Sequence, residues 1–93
     1  MKPAKTFQGS SFHGHTINTT VNKLLKVLGE PSEIGGDKTN YEWEMLTDEG
    51  QYFTVYDWKN YGGISKDAVV NWHVGGDTEA DAAAGLRALR AAL

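Results

Sequence analysis

The spacing of apolar residues predicts two helices, one in the first third of the chain and one at its end. In the first, apolar residues fall at i, i+3, i+4 and i+7, which places them on one side of an α-helix; they are Val21, Leu24, Leu25 and Leu28. Thr19 or Thr20 can cap its start, and Gly29 with Pro31 ends it. We therefore expect this helix over about residues 19–28.

The second helix is expected after a cap at Asp77 or Thr78. Its apolar stripe is formed by Ala83, Leu86, Leu89 (or Arg90) and Leu93. Most other positions are small alanines, so this helix can lie close to a neighbouring sheet.

Between the helices the apolar period changes to two, which is typical of half-buried strands. Residues 40–45 alternate in this way, and residues 47–51 have the composition of a type I turn with a bulge at Gly50. Such a turn pairs Met45 with Phe53. The core face of the hairpin is then formed by Tyr41, Trp43, Met45, Phe53 and Val55. The opposite face carries Glu42, Glu44, Tyr52, Thr54, Tyr56 and Trp58.

Residues 69–74 form a further predicted strand, which Gly75-Gly76 is expected to end. A weak strand is predicted over residues 12–17, after a flexible or extended arm at residues 1–11. The sequence thus predicts one α+β domain, with an antiparallel three- to four-stranded sheet and two helices on one face. The order of elements is β(weak)-α-β-β-β-α.

Composition narrows the classes of function. The 93 residues include no cysteine, and 40% are hydrophobic and 23% charged, which is typical of a single globular domain. Without cysteine, no disulfide framework or thiolate metal site can form, which suits the cytoplasm. The net charge of −3 argues against direct DNA binding. No apolar run is long enough for a signal peptide or a membrane span.

Histidines and carboxylates offer few routes to metal binding or catalysis. His13 and His15 would share one strand face, but a third ligand is missing, so we expect no metal or cofactor. His73 with Asp57 or Glu42 could serve a small hydrolase or lyase, which remains an alternative. No nucleophile motif accompanies them, so the sequence assigns no catalytic residue.

Aromatic residues in excess of the predicted core point to a binding surface. Tyr52, Tyr56, Trp58 and Tyr61 remain once the core face is filled, and exposed aromatic patches usually mark contacts. The predicted contact region comprises Tyr56, Trp58, Lys59, Tyr61, Trp72, His73, Gly75 and Gly76. Two alternatives stay open: the N-terminal segment covers these rings, or the face is the interface of a homodimer.

Three stretches together carry a resemblance to known proteins. They are the helix ending in Leu28-Gly29-Glu30-Pro31, the sequence Tyr56-Asp57-Trp58-Lys59, and the sequence Trp72-His73-Val74-Gly75-Gly76. The chain resembles a group of small accessory proteins of tailed phages and prophages that share YDWK-like and WHxGG-like motifs. The resemblance implies a setting in which small acidic proteins block host defence. The expected partner is a host defence protein or a nucleotide signal of the cyclic or ADP-ribose type, bound without catalysis.

Overall fold

In a computed structural model that describes residues 1–93, the chain forms a six-stranded antiparallel sheet with two helices. The elements are β1 (Lys2–Pro3), β2 (Ser11–Thr19), α1 (Val21–Leu28), β3 (Glu33–Ile34), β4 (Tyr41–Leu46), β5 (Tyr52–Tyr56), β6 (Val70–Gly76) and α2 (Glu79–Ala92). The spatial order is β1-β4-β5-β6-β2, and β3 also pairs with β4. The α+β class is confirmed, but the sheet has six strands instead of three to four.

The additional strands are short and leave no periodic signal in the sequence. β1 and β3 each contain two residues, and both pair with β4. The weak strand expected at residues 12–17 is instead a nine-residue strand, β2, which pairs with β6. Its register shifts between Phe12 and Thr16, where Gly14 has a φ of 88°. This bulge interrupts the alternation of side chains and explains the weak pattern.

Helix α1 begins at Val21, two residues later than predicted, ends at Leu28 as predicted, and is fixed to the sheet at both ends. Thr20 caps its start, and Gly29 follows its end with a φ of 81°. The indole N–H of Trp72 donates to the carbonyl of Thr19, and the indole N–H of Trp43 donates to the carbonyl of Gly29, both at 2.9 Å. The two tryptophans therefore satisfy backbone carbonyls before and after the helix while their rings fill the core.

The hairpin of β4 and β5 has the predicted register. Met45 lies opposite Phe53, and Trp43 lies opposite Val55. Gly50 adopts a φ of 85°, and its N–H donates to the carbonyl of Thr47 at 2.9 Å. The turn chemistry therefore decides which side chains of the hairpin face the helices.

Both helices contribute to one hydrophobic core on the predicted face of the sheet. The core cluster contains Val21, Leu24, Leu28, Trp43, Met45, Phe53, Val55, Trp72, Val74, Leu86 and Leu89. Helix α2 approaches closely because Gly85 has no side chain; a Cβ there would overlap the ring of Phe53. Neither helix is long and apolar enough to cross a bilayer.

Strand β6 does not end at Gly75-Gly76, as the sequence suggested, but continues through both glycines. A Cβ on Gly76 would lie 2.8 Å from the backbone nitrogen of Ala82 in α2. A Cβ on Gly75 would lie 2.5 Å from the hydroxyl oxygen of Ser10. The glycines thus permit close approach on both faces of the strand instead of breaking it.

Residues 1–10, here called the N-terminal arm, cross the sheet face that points away from the helices. The ring of Phe7 packs edge-on against Tyr52, with 6.3 Å between centroids. The hydroxyls of Ser10 and Thr54 are hydrogen-bonded at 2.6 Å. Tyr52 and Thr54 are consequently only 3% and 1% exposed. The arm covers one part of this face, and Trp58, which is 43% exposed, lies outside the covered part.

Candidate functional site

A groove lies on the face opposite the helices, beside the residues that the N-terminal arm covers. Its volume is about 460 Å³, and it is lined by Phe7, Ser10, Phe12, Thr39, Glu42, Tyr56, Trp58 and His73. We call it the aromatic groove. A larger cavity of about 690 Å³ lies between the 47–51 turn and α2, but none of its lining side chains carries a ring. The aromatic groove is therefore the cavity suited to a planar ligand.

Three rings of the aromatic groove lie in nearly parallel planes. The ring of His73 stacks on Phe12, with 4.0 Å between centroids and 17° between planes. The ring of Trp58 lies 6.1 Å from His73 at 20°. Tyr56 stands at 74° to Trp58 and at 69° to His73. Together these side chains form an aromatic platform of the kind that stacks on planar rings.

The strand register brings the groove residues together. Glu42 in β4 lies opposite Tyr56 in β5, which in turn lies opposite His73 in β6. The three side chains therefore form a row across the sheet, on the face that the core residues do not use. Phe12 reaches His73 from the neighbouring strand β2.

Asp57 holds the loop that carries Trp58 in place. It is fully buried, and its carboxylate accepts the backbone N–H groups of Asn40 and Tyr41 at 2.7 and 2.9 Å. The side-chain amide of Asn40 donates to the other carboxylate oxygen at 2.8 Å. These bonds join the start of β4 to the segment after β5. Asp57 thus faces residues 40 and 41, and it does not orient His73 as the catalytic alternative would require.

Two lysines flank the ring of Trp58. The ammonium of Lys38 lies 5.7 Å and that of Lys59 5.8 Å from the ring centroid, within cation–π range. The backbone N–H of Lys59, which has a φ of 58°, donates to the carbonyl of Lys38 at 2.8 Å. Neither ammonium belongs to an ion pair, since the ion pairs present are Met1 with Asp48 and His15 with Glu79. The rim of the groove therefore carries two uncompensated positive charges.

Burial changes the proton affinities of the groove's titratable groups. The pKa of Glu42 is raised by burial and by the neighbouring charges of Glu44 and Glu33. Burial lowers the pKa of His73, so its neutral imidazole is favoured. Burial and the charge of Glu42 raise the pKa of the Tyr56 hydroxyl. The groove thus combines a neutral imidazole, a phenol and one half-buried carboxyl group.

The structure brings four of the predicted contact residues together. Tyr56, Trp58 and His73 line the aromatic groove, and Lys59 lies on its rim. Tyr61 is 72% exposed and lies outside the groove, beside the loop of residues 36–40.

The other three predicted contact residues do not line the groove. Trp72 is fully buried in the core, because neighbouring residues of a strand point to opposite faces and His73 takes the groove side. Gly75 and Gly76 are buried against Ser10 and Ala82, so they serve close packing instead of ligand contact.

The two N-terminal histidines contact residues at the start of α2. The Nε2 atom of His13 lies 3.3 Å from the carbonyl oxygen of Gly76, and the Nε2 atom of His15 lies 2.9 Å from a carboxylate oxygen of Glu79. No cluster of three histidine or carboxylate side chains suited to a metal ion is present.

Sequence reasoning missed five residues of the site and its rim. These are Phe7, Ser10, Phe12, Thr39 and Lys38. The signal available was the pair of phenylalanines within an otherwise polar N-terminal segment. Their contacts depend on how the arm crosses the sheet and on the bulge in β2, and neither follows from a periodic pattern.

Comparisons with protein-family models, with curated proteins and with solved structures found no significant match to this chain. Any proposal for its function must therefore rest on the chemistry of its own residues.

Proposed function

We propose that the protein is a non-enzymatic binding protein that captures a nucleotide in the aromatic groove. The observation that carries the proposal is the set of near-parallel rings of Phe12, His73 and Trp58 beside an open cavity. The cavity volume of about 460 Å³ falls within the range of roughly 300–1,000 Å³ typical of small-ligand sites. A nucleobase is a flat conjugated ring that such a platform can hold.

Stacking supplies the first part of the expected affinity. Trp58 is 43% exposed although it lies among other rings, so it retains area that a ligand can cover. Stacking of one base on an aromatic side chain contributes about 1–3 kcal/mol. Tyr56 and His73 add polar groups beside this surface.

Charge favours an anionic group next to the stacked ring. The ammonium groups of Lys38 and Lys59 both lie near Trp58 and have no carboxylate partner. A phosphate placed at the rim would gain charge-assisted hydrogen bonds from either lysine. The same two charges would repel a cationic ligand, although aromatic cages otherwise suit cations.

The arrangement favours binding without turnover. A general base of the histidine type needs a partner that orients it. The ring of His73 is nearly parallel to those of Phe12 and Trp58, and Asp57 is engaged by residues 40 and 41. We therefore assign His73 a role in ligand contact.

The resemblance to phage accessory proteins supplies the setting of this proposal. In that setting the protein acts in the host cytoplasm and sequesters a nucleotide signal of a defence system, of the cyclic or ADP-ribose type. Sequestration requires affinity for the signal and no chemical change to it.

Thermal melts with a nucleotide panel test the proposal. The panel consists of cyclic mononucleotides, cyclic dinucleotides and ADP-ribose derivatives. A ligand at one hundred times its Kd adds about 2.7 kcal/mol to the free energy of unfolding, so a bound nucleotide raises Tm. Chromatography of the ligand after heat denaturation should return it intact.

Trp58→Ala should abolish the rise in Tm, whereas Tyr61→Ala should preserve it because Tyr61 lies outside the groove. No rise across the whole panel would refute nucleotide capture and leave a protein partner as the occupant of the groove. A chemically altered ligand would point to the hydrolase or lyase alternative.

A further inference from the structure

One side chain of the aromatic groove combines partial burial with the absence of a protein partner. Glu42 is half-buried, belongs to no ion pair, and its carboxylate accepts no hydrogen bond from the protein. Its carboxylate oxygens are not among the fully buried polar atoms, so they face the solvent of the groove. A bound ligand can replace this water with its own hydrogen-bond donors.

The strand register places Glu42 beside Tyr56 and one strand further from His73. Glu42, Tyr56 and His73 occupy successive strands of one row. Strands lie about 4.8 Å apart, so the Cα atoms of Glu42 and His73 are separated by roughly 10 Å. Tyr56 occupies the middle of the row, so a base stacked on Trp58 can turn its edge across Tyr56 toward Glu42.

The chemistry of the carboxylate discriminates between bases. An ionised carboxylate only accepts hydrogen bonds, and its two oxygens match two adjacent N–H donors. Guanine has this pair of donors on its Watson–Crick edge, at N1 and at the exocyclic amino group. Adenine and cytosine place an acceptor nitrogen beside their amino group, and that acceptor repels an ionised carboxylate.

We infer that Glu42 selects a guanine nucleotide, with both carboxylate oxygens accepting from the base and with Lys38 and Lys59 placed for its phosphate. The inference rests on the nucleotide-binding function proposed above and adds the identity of the base. Glu44 lies on the same face of β4 but does not line the groove, so it provides a matched comparison.

Calorimetric titration with GMP, IMP and AMP tests the selection. IMP differs from GMP by loss of the exocyclic amino group. The wild-type protein should bind IMP about tenfold and AMP about a hundredfold more weakly than GMP, since each unmatched charge-assisted hydrogen bond costs roughly a factor of ten.

Glu42→Gln should weaken GMP binding by about tenfold to a hundredfold and remove most of the preference over AMP. Glu44→Gln removes a charge outside the groove that acts on Glu42 equally for every base, so the preference for GMP over AMP should remain. Equal affinities for GMP and AMP, unchanged by Glu42→Gln, would overturn the guanine inference while the nucleotide function stood. Failure of all three nucleotides to bind, with binding of tetramethylammonium instead, would overturn both proposals.

Discussion

The two faces of the sheet use aromatic side chains in opposite ways. On the core face, the rings of Trp43 and Trp72 are fully buried, and each indole N–H donates to a carbonyl that flanks α1. On the other face, Trp58 is 43% exposed, and two unpaired ammonium groups lie near its ring. The rings on the core face therefore pack against the helices, whereas the part of the other face that the N-terminal arm leaves uncovered is accessible to solvent. Substitutions on each face test whether the two faces differ in their contribution to stability.

The largest expected effect is on the core face. Trp72→Ala removes a fully buried ring together with the hydrogen bond to Thr19, and should lower the free energy of unfolding by about 3–5 kcal/mol. Urea denaturation followed by circular dichroism measures this change. Trp58→Ala should lower it by about 1 kcal/mol or less. Equal losses for the two variants would abolish the distinction between the faces.

Asp57 connects the fold to the groove, so its substitution should affect both. Asp57→Ala leaves the N–H groups of Asn40 and Tyr41 without their acceptor. It should lower the free energy of unfolding by about 2 kcal/mol. Asp57→Asn keeps one acceptor oxygen and should lower the free energy of unfolding less than Asp57→Ala does. Denaturant midpoints give the order of the three proteins. A stability for Asp57→Ala equal to that of the wild type would contradict the role assigned to this carboxylate.

A substitution that disturbs the close packing of α2 on the sheet should have a smaller effect on the free energy of unfolding. Gly85→Ala would force a methyl group against Phe53, at a cost of about 1–3 kcal/mol. The better helix propensity of alanine offsets about 1 kcal/mol, which leaves a net loss of about 1 kcal/mol. Gly62→Ala adds the same methyl group in open space and serves as the control in thermal melts. A stabilised Gly85→Ala variant would show that the helix can move away from the sheet.

The smallest expected effect is a pH dependence from His73. Its pKa in the folded state lies below the ordinary value of 6.5 because of burial, so the unfolded chain binds a proton more readily between the two values. Stability should therefore fall as pH drops below about 6.5. A plot of Tm against pH should be less steep for His73→Gln than for the wild type. His15→Gln leaves His73 in place and should retain the contribution of His73 to the slope. Identical slopes in the wild type and His73→Gln would contradict the shift.

The fold was predictable where periodic patterns and turn chemistry act locally. The stripe at residues 21–28 with Gly29 located α1, and Gly50 fixed the register that pairs Met45 with Phe53. The strands of two residues, β1 and β3, were not predictable, because their pairing depends on the whole chain. Nor was the length of β2, since the bulge near Gly14 hides its alternation.

The candidate site was predictable in part, for the same physical reason. Tyr56, Trp58 and His73 follow from the register of β4, β5 and β6. Phe12 and Lys38 reach the groove from a bulged strand and a loop, which carry no periodicity. The assignment of both Trp72 and His73 to the contact region could not hold, because adjacent residues of a strand face opposite sides.

If the face that carries the aromatic groove binds a nucleotide while the core face stays unchanged, the three tryptophans report on both faces at once. Their indole N–H groups give separate signals in a ¹⁵N-correlated NMR spectrum. On titration with GMP, the signal of Trp58 should shift progressively to saturation, while those of Trp43 and Trp72 should stay in place. A Trp58 signal that does not respond to GMP or to any nucleotide of the panel would contradict the account.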